Sequence, residues 1–218
     1  MRQITWGYKV SFFMKGYSMN SIIDTIMSQL GNQEIGGIAK QLGIDEAKAG
    51  SAVSAAVPVL LGALARNSSN EAGASSLDKA LEKDHDGGIL EDVMGFISNA
   101  EAGPGEGILK HVLGGKRERV ETGIGASTGL DTVSVGKLMA TLAPLVMGTL
   151  GKQKRSSGLD ATGLASLLNN ERKEVERREP QGFNILNSLL DSDGDGDVDA
   201  GDIAKRGFGL LGGLLGKK

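Results

Sequence analysis

An acidic segment near the end of the chain has the composition and spacing of a divalent-cation site. The stretch DSDGDGDVDAGD, residues 191–202, holds six aspartates in twelve positions. Counted from Asp191, carboxylates occupy positions 1, 3, 5, 7, 9 and 12 and glycine occupies position 6, which is the EF-hand spacing. Calcium takes about six to eight oxygen ligands, and alternate residues of such a loop converge on one ion. The segment therefore predicts a calcium site.

The six aspartates have different expected roles in that site. In chain order they are Asp191, Asp193 and Asp195 as direct ligands, Asp197 through its backbone carbonyl, Asp199 through water, and Asp202 closing the site. Aspartate at position 12 is shorter than the usual glutamate and resembles the dockerin variant of the loop. The expected Kd therefore lies between about 10⁻⁶ and 10⁻³ M. A soluble tether rich in Asp-Gly turns is the alternative interpretation.

Apolar segments flank the acidic loop on both sides. GFNILNSLL (182–190) predicts an entering helix, and IAKRGFGLLGGLLG (203–216) supplies an exiting apolar segment. Six like charges repel one another in an empty loop, so a bound cation should order the whole EF-hand-like helix-loop-helix, residues 181–218. The ordered module would then present its Leu/Gly-rich tail to a protein partner or dock it on the rest of the chain.

An internal repeat occupies the middle of the chain. At an offset of 86 residues, residues 37–64 align with residues 123–150. The identical pairs are Gly37/Gly123, Ile38/Ile124, Gly43/Gly129, Asp45/Asp131, Gly50/Gly136, Pro58/Pro144, Gly62/Gly148 and Leu64/Leu150. Self-similarity of this kind indicates a duplicated structural unit.

Each copy of the repeat predicts one long helix. Asp45 and Asp131 are expected N-caps, and the apolar residues that follow them recur with helical spacing. Pro58 and Pro144 should kink or break their helices, because proline cannot donate to the carbonyl four residues earlier. The glycines four residues beyond these prolines should leave room for close helix contacts.

No segment shows the alternation of a convincing strand, so the predicted class is all-α. The duplicated units should form a compact bundle with a helix-turn-helix-like arrangement. The phrases GEGILKHVLGGKRERVE, TGLD and KLMATLAPLVMGTLGKQ resemble the bacterial YidB-like family of unknown function, over roughly residues 19–168. That resemblance implies an all-helical, homeodomain-like core without an established enzymatic activity. The acidic loop is fuller than the family requires.

Four regions are predicted along the chain. Residues 1–18 are expected to be an extension outside the fold, with Met14 or Met19 as alternative starts. Residues 19–170 form the helical domain, residues 171–180 a charged linker or solvated helix face closed by Pro180, and residues 181–218 the calcium module.

The sequence favours a protein that is not an enzyme. GASTG (125–129) matches the nucleophile-elbow pattern around Ser127, but no strand precedes it and both histidines, His85 and His111, come earlier in the chain. With two histidines and no cysteine, a zinc site is not expected. The glycines of GASTG are better explained as the turn before the Asp131 cap.

DNA binding by the helix-turn-helix-like core is the alternative function. It is not favoured, because the formal net charge is −3 and the helix after Asp45 offers Lys48 followed mainly by small apolar residues. The sequence contains no continuous apolar run long enough to predict a transmembrane segment. The cytoplasm is the default location. A compartment outside the cytoplasm is the alternative, because a weak site would stay empty at resting cytosolic calcium.

Overall fold

The computed structural model describes residues 21–99 and 103–178, and these residues contain helices and no β-strand. The all-α class is therefore confirmed for this part of the chain. Residues 1–18 and 181–218 lie outside it. The helices are α1 (Ile22–Gln29), α2 (Asn32–Leu42), α3 (Glu46–Asn67), α4 (Glu71–Lys83), α5 (Val93–Ser98), α6 (Gly105–Leu113), α7 (Arg117–Thr128), α8 (Thr132–Ser157) and α9 (Ala161–Arg178), with 3-10 turns at Gly88–Glu91 and Gly114–Lys116.

The predicted repeat corresponds to two helix pairs of the same design, α2–α3 and α7–α8. Both α2 and α7 end at a glycine in the left-handed conformation, Gly43 with φ 65° and Gly129 with φ 71°. Residues with a side chain rarely adopt this conformation, so glycine at these two positions lets each turn form without strain. The next helix of each pair then begins after the aspartate that was predicted as its cap.

Both predicted N-caps are present. Asp45 Oδ1 accepts a hydrogen bond from the amide of Lys48 at 3.0 Å, and Asp131 Oδ1 accepts one from the amide of Ser134 at 2.9 Å. Ser134 also donates its hydroxyl to Asp131, and these bonds hold the pKa of the Asp131 carboxyl below its usual value. Each carboxylate satisfies an amide of the first turn that has no partner within the helix.

Replacing Asp45 with alanine is expected to lower the free energy of unfolding by about 1 kcal/mol, because the first turn of α3 loses its side-chain acceptor. Urea denaturation followed by circular dichroism measures the change. Asp45→Asn retains an oxygen acceptor and serves as the control, so it should stay close to wild type. Equal destabilisation by both variants would show that the cap is not the cause.

The duplication extends beyond the predicted segments. The two longest of the described helices, α3 and α8, pack against each other, and the contacts of each with the helices of the opposite half have counterparts when the two halves are exchanged. Thus α3 contacts α6, α7 and α9, while α8 contacts α1, α2 and α4, and α4 contacts α9. Eight of the nine described helices therefore form two four-helix halves, α1–α4 and α6–α9, related by an approximate two-fold exchange, and α5 lies in the connection between them.

Local geometry at the start of α4 and of α9 supports this extension. Asn70 Oδ1 accepts from the amide of Gly73 and Asp160 Oδ1 accepts from the amide of Gly163, each at 2.8 Å. These two caps are 90 residues apart instead of 86, and α8, with 26 residues, is four residues longer than α3, with 22. The additional turn of α8 moves the next cap four residues further along the sequence, and α9 still begins in the same way as α4.

Residues at equivalent positions of α2–α3 and α7–α8 are buried in the same core. The buried pairs are Ile38/Ile124, Ala49/Val135, Val53/Met139, Ala56/Leu142, Leu60/Val146 and Leu64/Leu150. The predicted helical stripe is therefore the core-facing stripe in both copies. Removal of this apolar surface from water supplies the main favourable term for the bundle.

The helices do not break at their prolines, contrary to that part of the prediction. Both α3 and α8 are continuous through Pro58 and Pro144. Pro144 leaves the carbonyl of Ala140 without its usual amide donor. That carbonyl instead lies against Gly105, where a Cβ would sit 1.9 Å from the oxygen. The packing around the proline-containing turn of α8, which is buried on all sides, holds the helix together despite the lost bond.

The prediction about the following glycines is half right. Gly148 meets the 3-10 turn closely, because a Cβ there would lie 2.5 Å from Ile89 Cγ2. Gly62, at the same position of the first copy, has no atom within 4 Å of such a Cβ. The prediction of a close contact is therefore wrong for Gly62. The reason is that the 3-10 turn at residues 88–91 packs against α8, and in the described part of the chain no equivalent turn packs against α3.

Most of the segment predicted as a charged linker is helix. Residues 171–178 are the last two turns of α9, and Glu171 and Val175 are buried. The two predicted alternatives were a charged linker and a solvated helix face, and residues 171–178 are a helix with one solvated face. The contacts of α9 with α3 and α4 cover one face of the helix, and its other face carries the exposed charges.

Two helices are long and apolar enough to cross a membrane by length and composition, α3 and α8. The sequence analysis, which counted uninterrupted apolar runs, did not find them. Half of the apolar window of α3 and 78% of that of α8 are buried inside the bundle. Buried core helices pass the same test, so the observation is weak evidence for a membrane span.

Candidate functional site

The six predicted calcium ligands, in residues 191–202, lie outside the described residues. Their geometry therefore stays a prediction. Within residues 21–99 and 103–178, no group of three or more His, Asp or Glu side chains is arranged so that it could hold a metal ion. Among the described residues, no such cluster therefore competes with the acidic loop as a candidate metal site.

The segment around Ser127 is helical and does not form a nucleophile elbow. Residues 125–128 are the last turn of α7, and Gly129 follows in the left-handed conformation that ends it. The Ser127 hydroxyl donates to the carbonyl of Ile124 at 2.9 Å. A nucleophile elbow needs a sharp turn from strand to helix, and this segment is a helix C-terminus.

Helix α3, the candidate recognition helix, is the central core helix of its half. Its exposed side includes Lys48, Ser51 and Ser54, of which only the first carries a positive charge. The Lys48 ammonium donates to the carbonyl of Gly129 at 3.2 Å, so it satisfies the C-terminus of α7. This surface offers little that could contact phosphates or base edges.

A cleft of about 810 Å³ lies between α4 and α6 and is the candidate functional site of the described residues. Leu64 of α3 and Met147 of α8, both buried, lie at its base. We call it the α4–α6 cleft. Its remaining lining residues are Arg66, Asn67, Asn70, Gly73, Ser76, Leu77, Ala80, Asp84, His85, Gly107, Ile108, His111, Val112 and Lys116.

One side chain connects the end of α3 to the end of α6 along this cleft. The Asn67 amide nitrogen donates to the carbonyls of His111 and Val112, at 3.2 and 2.9 Å. These carbonyls belong to the last turn of α6 and have no amide partner within the helix. Asn67 therefore fixes the α6 wall of the cleft against α3.

Both histidines of the chain line the cleft. His111 Nδ1 is 2.8 Å from the carbonyl oxygen of Gly107. A carbonyl only accepts hydrogen bonds, so Nδ1 carries the proton and Nε2 is the acceptor of the neutral ring. Burial lowers the pKa of half-buried His85, although the negative charge of Asp84 opposes the shift. Burial therefore favours the neutral form of the His85 ring.

Arg66 is the cation of the cleft that has no partner. No carboxylate of the described residues forms an ion pair or hydrogen bond with its half-buried guanidinium. Together with Asn67, His111, Val112 and Lys116, it also lines a neighbouring cavity of about 210 Å³. Arg66 therefore lies where the two cavities meet.

The sequence analysis missed this site. His85 was considered only as a partner for Ser127 or a zinc ligand, and Arg66 belongs to no motif. A possible signal was the occurrence of both histidines in the segments between the two copies of the repeat, but sequence spacing alone does not bring residues 66, 85 and 111 together.

A family model for a bacterial protein of unknown function (DUF937) matches residues 24–153, more than half of the chain. The chain belongs to this family. The finer resemblance to YidB-like proteins stays a prediction. No curated protein and no solved structure matches the chain.

The matched DUF937 region runs from α1 into the last turns of α8. It includes both copies of the repeat and the α6 wall of the cleft. It ends before α9, the helix that completes the second half by packing on α3 and α4. The approximate two-fold exchange therefore uses residues beyond the family match.

Proposed function

We propose that this DUF937 chain is a non-enzymatic calcium-binding interaction protein, in which the ion orders the C-terminal module. The observation that carries the proposal is the EF-hand spacing of residues 191–202, with six carboxylates and a glycine at position 6. The helical bundle is the scaffold to which this module is attached through α9. The Leu/Gly-rich tail, residues 207–216, is the segment that calcium makes available for contact.

The helical domain supports this proposal in one respect. Because the described residues offer no competing cluster of metal ligands, a saturable response to calcium points to the acidic loop. No observation favours the DNA-binding alternative, since the exposed side of α3 carries one lysine and that lysine already bonds to Gly129.

Calcium titration of the full chain is the direct test. We expect saturable heat with a Kd between about 10⁻⁶ and 10⁻³ M, together with a gain in helical circular dichroism. Replacing Asp193 and Asp195 together by asparagine removes two of the charged ligands and should weaken binding at least ~10-fold, because affinity follows the number of charged ligands. Magnesium, which requires a tighter octahedral site, serves as the comparison ion.

A control variant with the same change of charge is available in the helical domain. Glu71→Gln combined with Glu118→Gln removes two exposed carboxylates far from the loop in sequence and should leave calcium affinity unchanged. Equal weakening by both double variants would mean that general charge attracts the ion, and absence of heat at millimolar calcium would refute the proposal.

A further inference from the structure

We propose that the α4–α6 cleft is a binding site for an amphipathic carboxylate, a small anion with an aliphatic chain. This inference is independent of the calcium proposal, because it rests on residues 64–147 of the helical domain. It assigns the apolar chain to the base of the cleft and the carboxylate to the Arg66 side, where the two cavities meet.

The size and lining of the cleft fit such a ligand. Small-molecule sites usually have volumes of about 300 to 1,000 Å³, apolar walls and a few polar groups that orient the ligand, and the cleft measures about 810 Å³. Its apolar surface comes from Leu64, Leu77, Ile108, Val112 and Met147. Burial of an aliphatic chain there is favourable in proportion to the apolar area removed from water.

The charges of the cleft select an anion. Arg66 and Lys116 contribute positive charge, whereas Asp84 is the acidic residue among the lining side chains. A half-buried guanidinium without a carboxylate partner is an incomplete ion pair, and its planar donors match a carboxylate in a bidentate contact. A ligand carboxylate would supply the missing partner.

The approximate two-fold exchange provides an internal comparison. Exchange of the two halves maps the cleft between α4 and α6 onto the space between α9 and α1, where the polar side chains are only partly repeated. At an offset of 86 residues, Arg66 corresponds to Lys152, His111 to Thr25 and Lys116 to Leu30. Leu30 is a buried core residue. The counterpart keeps a cation, Lys152, but has neither a histidine nor a second cation, so the full polar set is particular to the α4–α6 cleft.

Decanoate binding to the full chain tests the proposal, measured by isothermal titration and by displacement of the fluorescent anion 1-anilinonaphthalene-8-sulfonate. Decanol, which has the same chain without the charge, and acetate, which has the charge without the chain, separate the two contributions. We expect decanoate to bind and displace the dye, and decanol and acetate each to bind at least ~10-fold more weakly, because each lacks one of the two contacts.

Two variants locate the site. Arg66→Gln should weaken decanoate binding at least ~10-fold, as expected for loss of a charge-assisted contact, whereas Lys152→Gln, at the equivalent position of the other half, should leave it within about twofold. Gly107→Leu provides an independent check, because a Cβ at Gly107 meets no atom within 4 Å and the larger side chain would fill the cleft. Thermal unfolding verifies that each variant is folded.

Three results would overturn the proposal. Decanol binding as tightly as decanoate would remove the role of the cation. Equal weakening by Arg66→Gln and Lys152→Gln would remove the assignment to this cleft. A folded wild-type chain that does not bind decanoate at millimolar concentration would exclude the ligand class.

Discussion

Replacing Gly105 with alanine is expected to destabilise the bundle by about 3 kcal/mol, the upper part of the range for overpacked cores. Gly105 is buried at the start of α6, and an added Cβ would lie 1.9 Å from the carbonyl oxygen of Ala140. The atom in the way belongs to the backbone of α8 and cannot rotate aside. To accept the methyl group, α6 would have to move away from α8, which also separates it from the core residues around Leu142.

The same carbonyl explains why glycine is found there. Pro144 removes the amide that would normally bond to Ala140, so this carbonyl is free to accept a close approach from outside the helix. Pro144 of α8 and Gly105 of α6 thus act together at one close helix contact. The cost of Gly105→Ala is therefore a cost of helix docking, and the intrinsic preference of alanine for helices works in the opposite direction.

Gly107→Ala is the matched control for this prediction. It lies two residues further along the same helix, and its added Cβ would meet no atom within 4 Å. It should stabilise the chain by up to about 1 kcal/mol, because alanine is the better helix former. Urea denaturation compares both variants with wild type. If Gly105→Ala were as stable as Gly107→Ala, the close packing of α6 on α8 would be disproved.

Local signals in the sequence carry much of this fold. The sequence Gly-x-Asp at 43–45 and at 129–131 predicts a helix end followed by a helix start, and both form as expected because their hydrogen bonds join residues only a few positions apart. The apolar spacing after each aspartate predicts the buried stripe for the same reason. All of these features depend on neighbours within one or two turns.

The extent of the duplication could not be predicted in the same way. The caps Asn70 and Asp160 are 90 residues apart, so an alignment with a fixed offset of 86 misses them. Between α1 and α6, the common feature is a buried apolar face with little identity. The relationship between α1 and α6 is recognised only because each contacts the long helices α3 and α8 in the corresponding way.

The candidate cleft depends on distances that no local pattern fixes. Its width is set by where α4 and α6 lie on the α3–α8 pair, and its α6 wall is held by the bonds from Asn67 to the carbonyls of His111 and Val112. Those bonds join residues 44 and 45 positions apart. By contrast, the acidic loop is a contiguous motif, and the sequence alone is enough to propose it.

Replacing Lys154 with methionine is expected to lower the free energy of unfolding by about 3 kcal/mol, the cost of breaking a buried ion pair from one side. Lys154 belongs to the charged end of α8, yet its side chain is only 7% exposed. Its ammonium lies 3.1 Å from Asp78 Oδ1 and 2.6 Å from Glu82 Oε1, both on α4. Methionine keeps the length of the side chain and removes the charge.

The loss of stability should arise mainly because Asp78 is left without its cation. The side chain of Glu82 is 62% exposed and can turn to water, whereas that of Asp78 is 19% exposed and would stay close to the core without its cation. The second half of the bundle suggests the rescue, since buried Leu168 occupies the position equivalent to Asp78. Lys154→Met combined with Asp78→Leu should therefore recover most of the lost stability, as apolar replacements of buried ion pairs often do.

Chemical denaturation of wild type, the two single variants and the double variant measures the coupling between Lys154 and Asp78. Lys152→Met removes an exposed charge from the same helix and serves as the control.

The pH dependence of stability gives a second test. The hydrogen bond to Glu82 raises the pKa of Lys154, so the contribution of the ion pair is complete below about pH 10.4, the usual lysine value, and is lost as the pH rises through the higher value of the folded state. Wild type should lose stability in that alkaline range, and Lys154→Met should lose less. Parallel curves for the two chains would mean that the ammonium contributes nothing to holding α4 against α8.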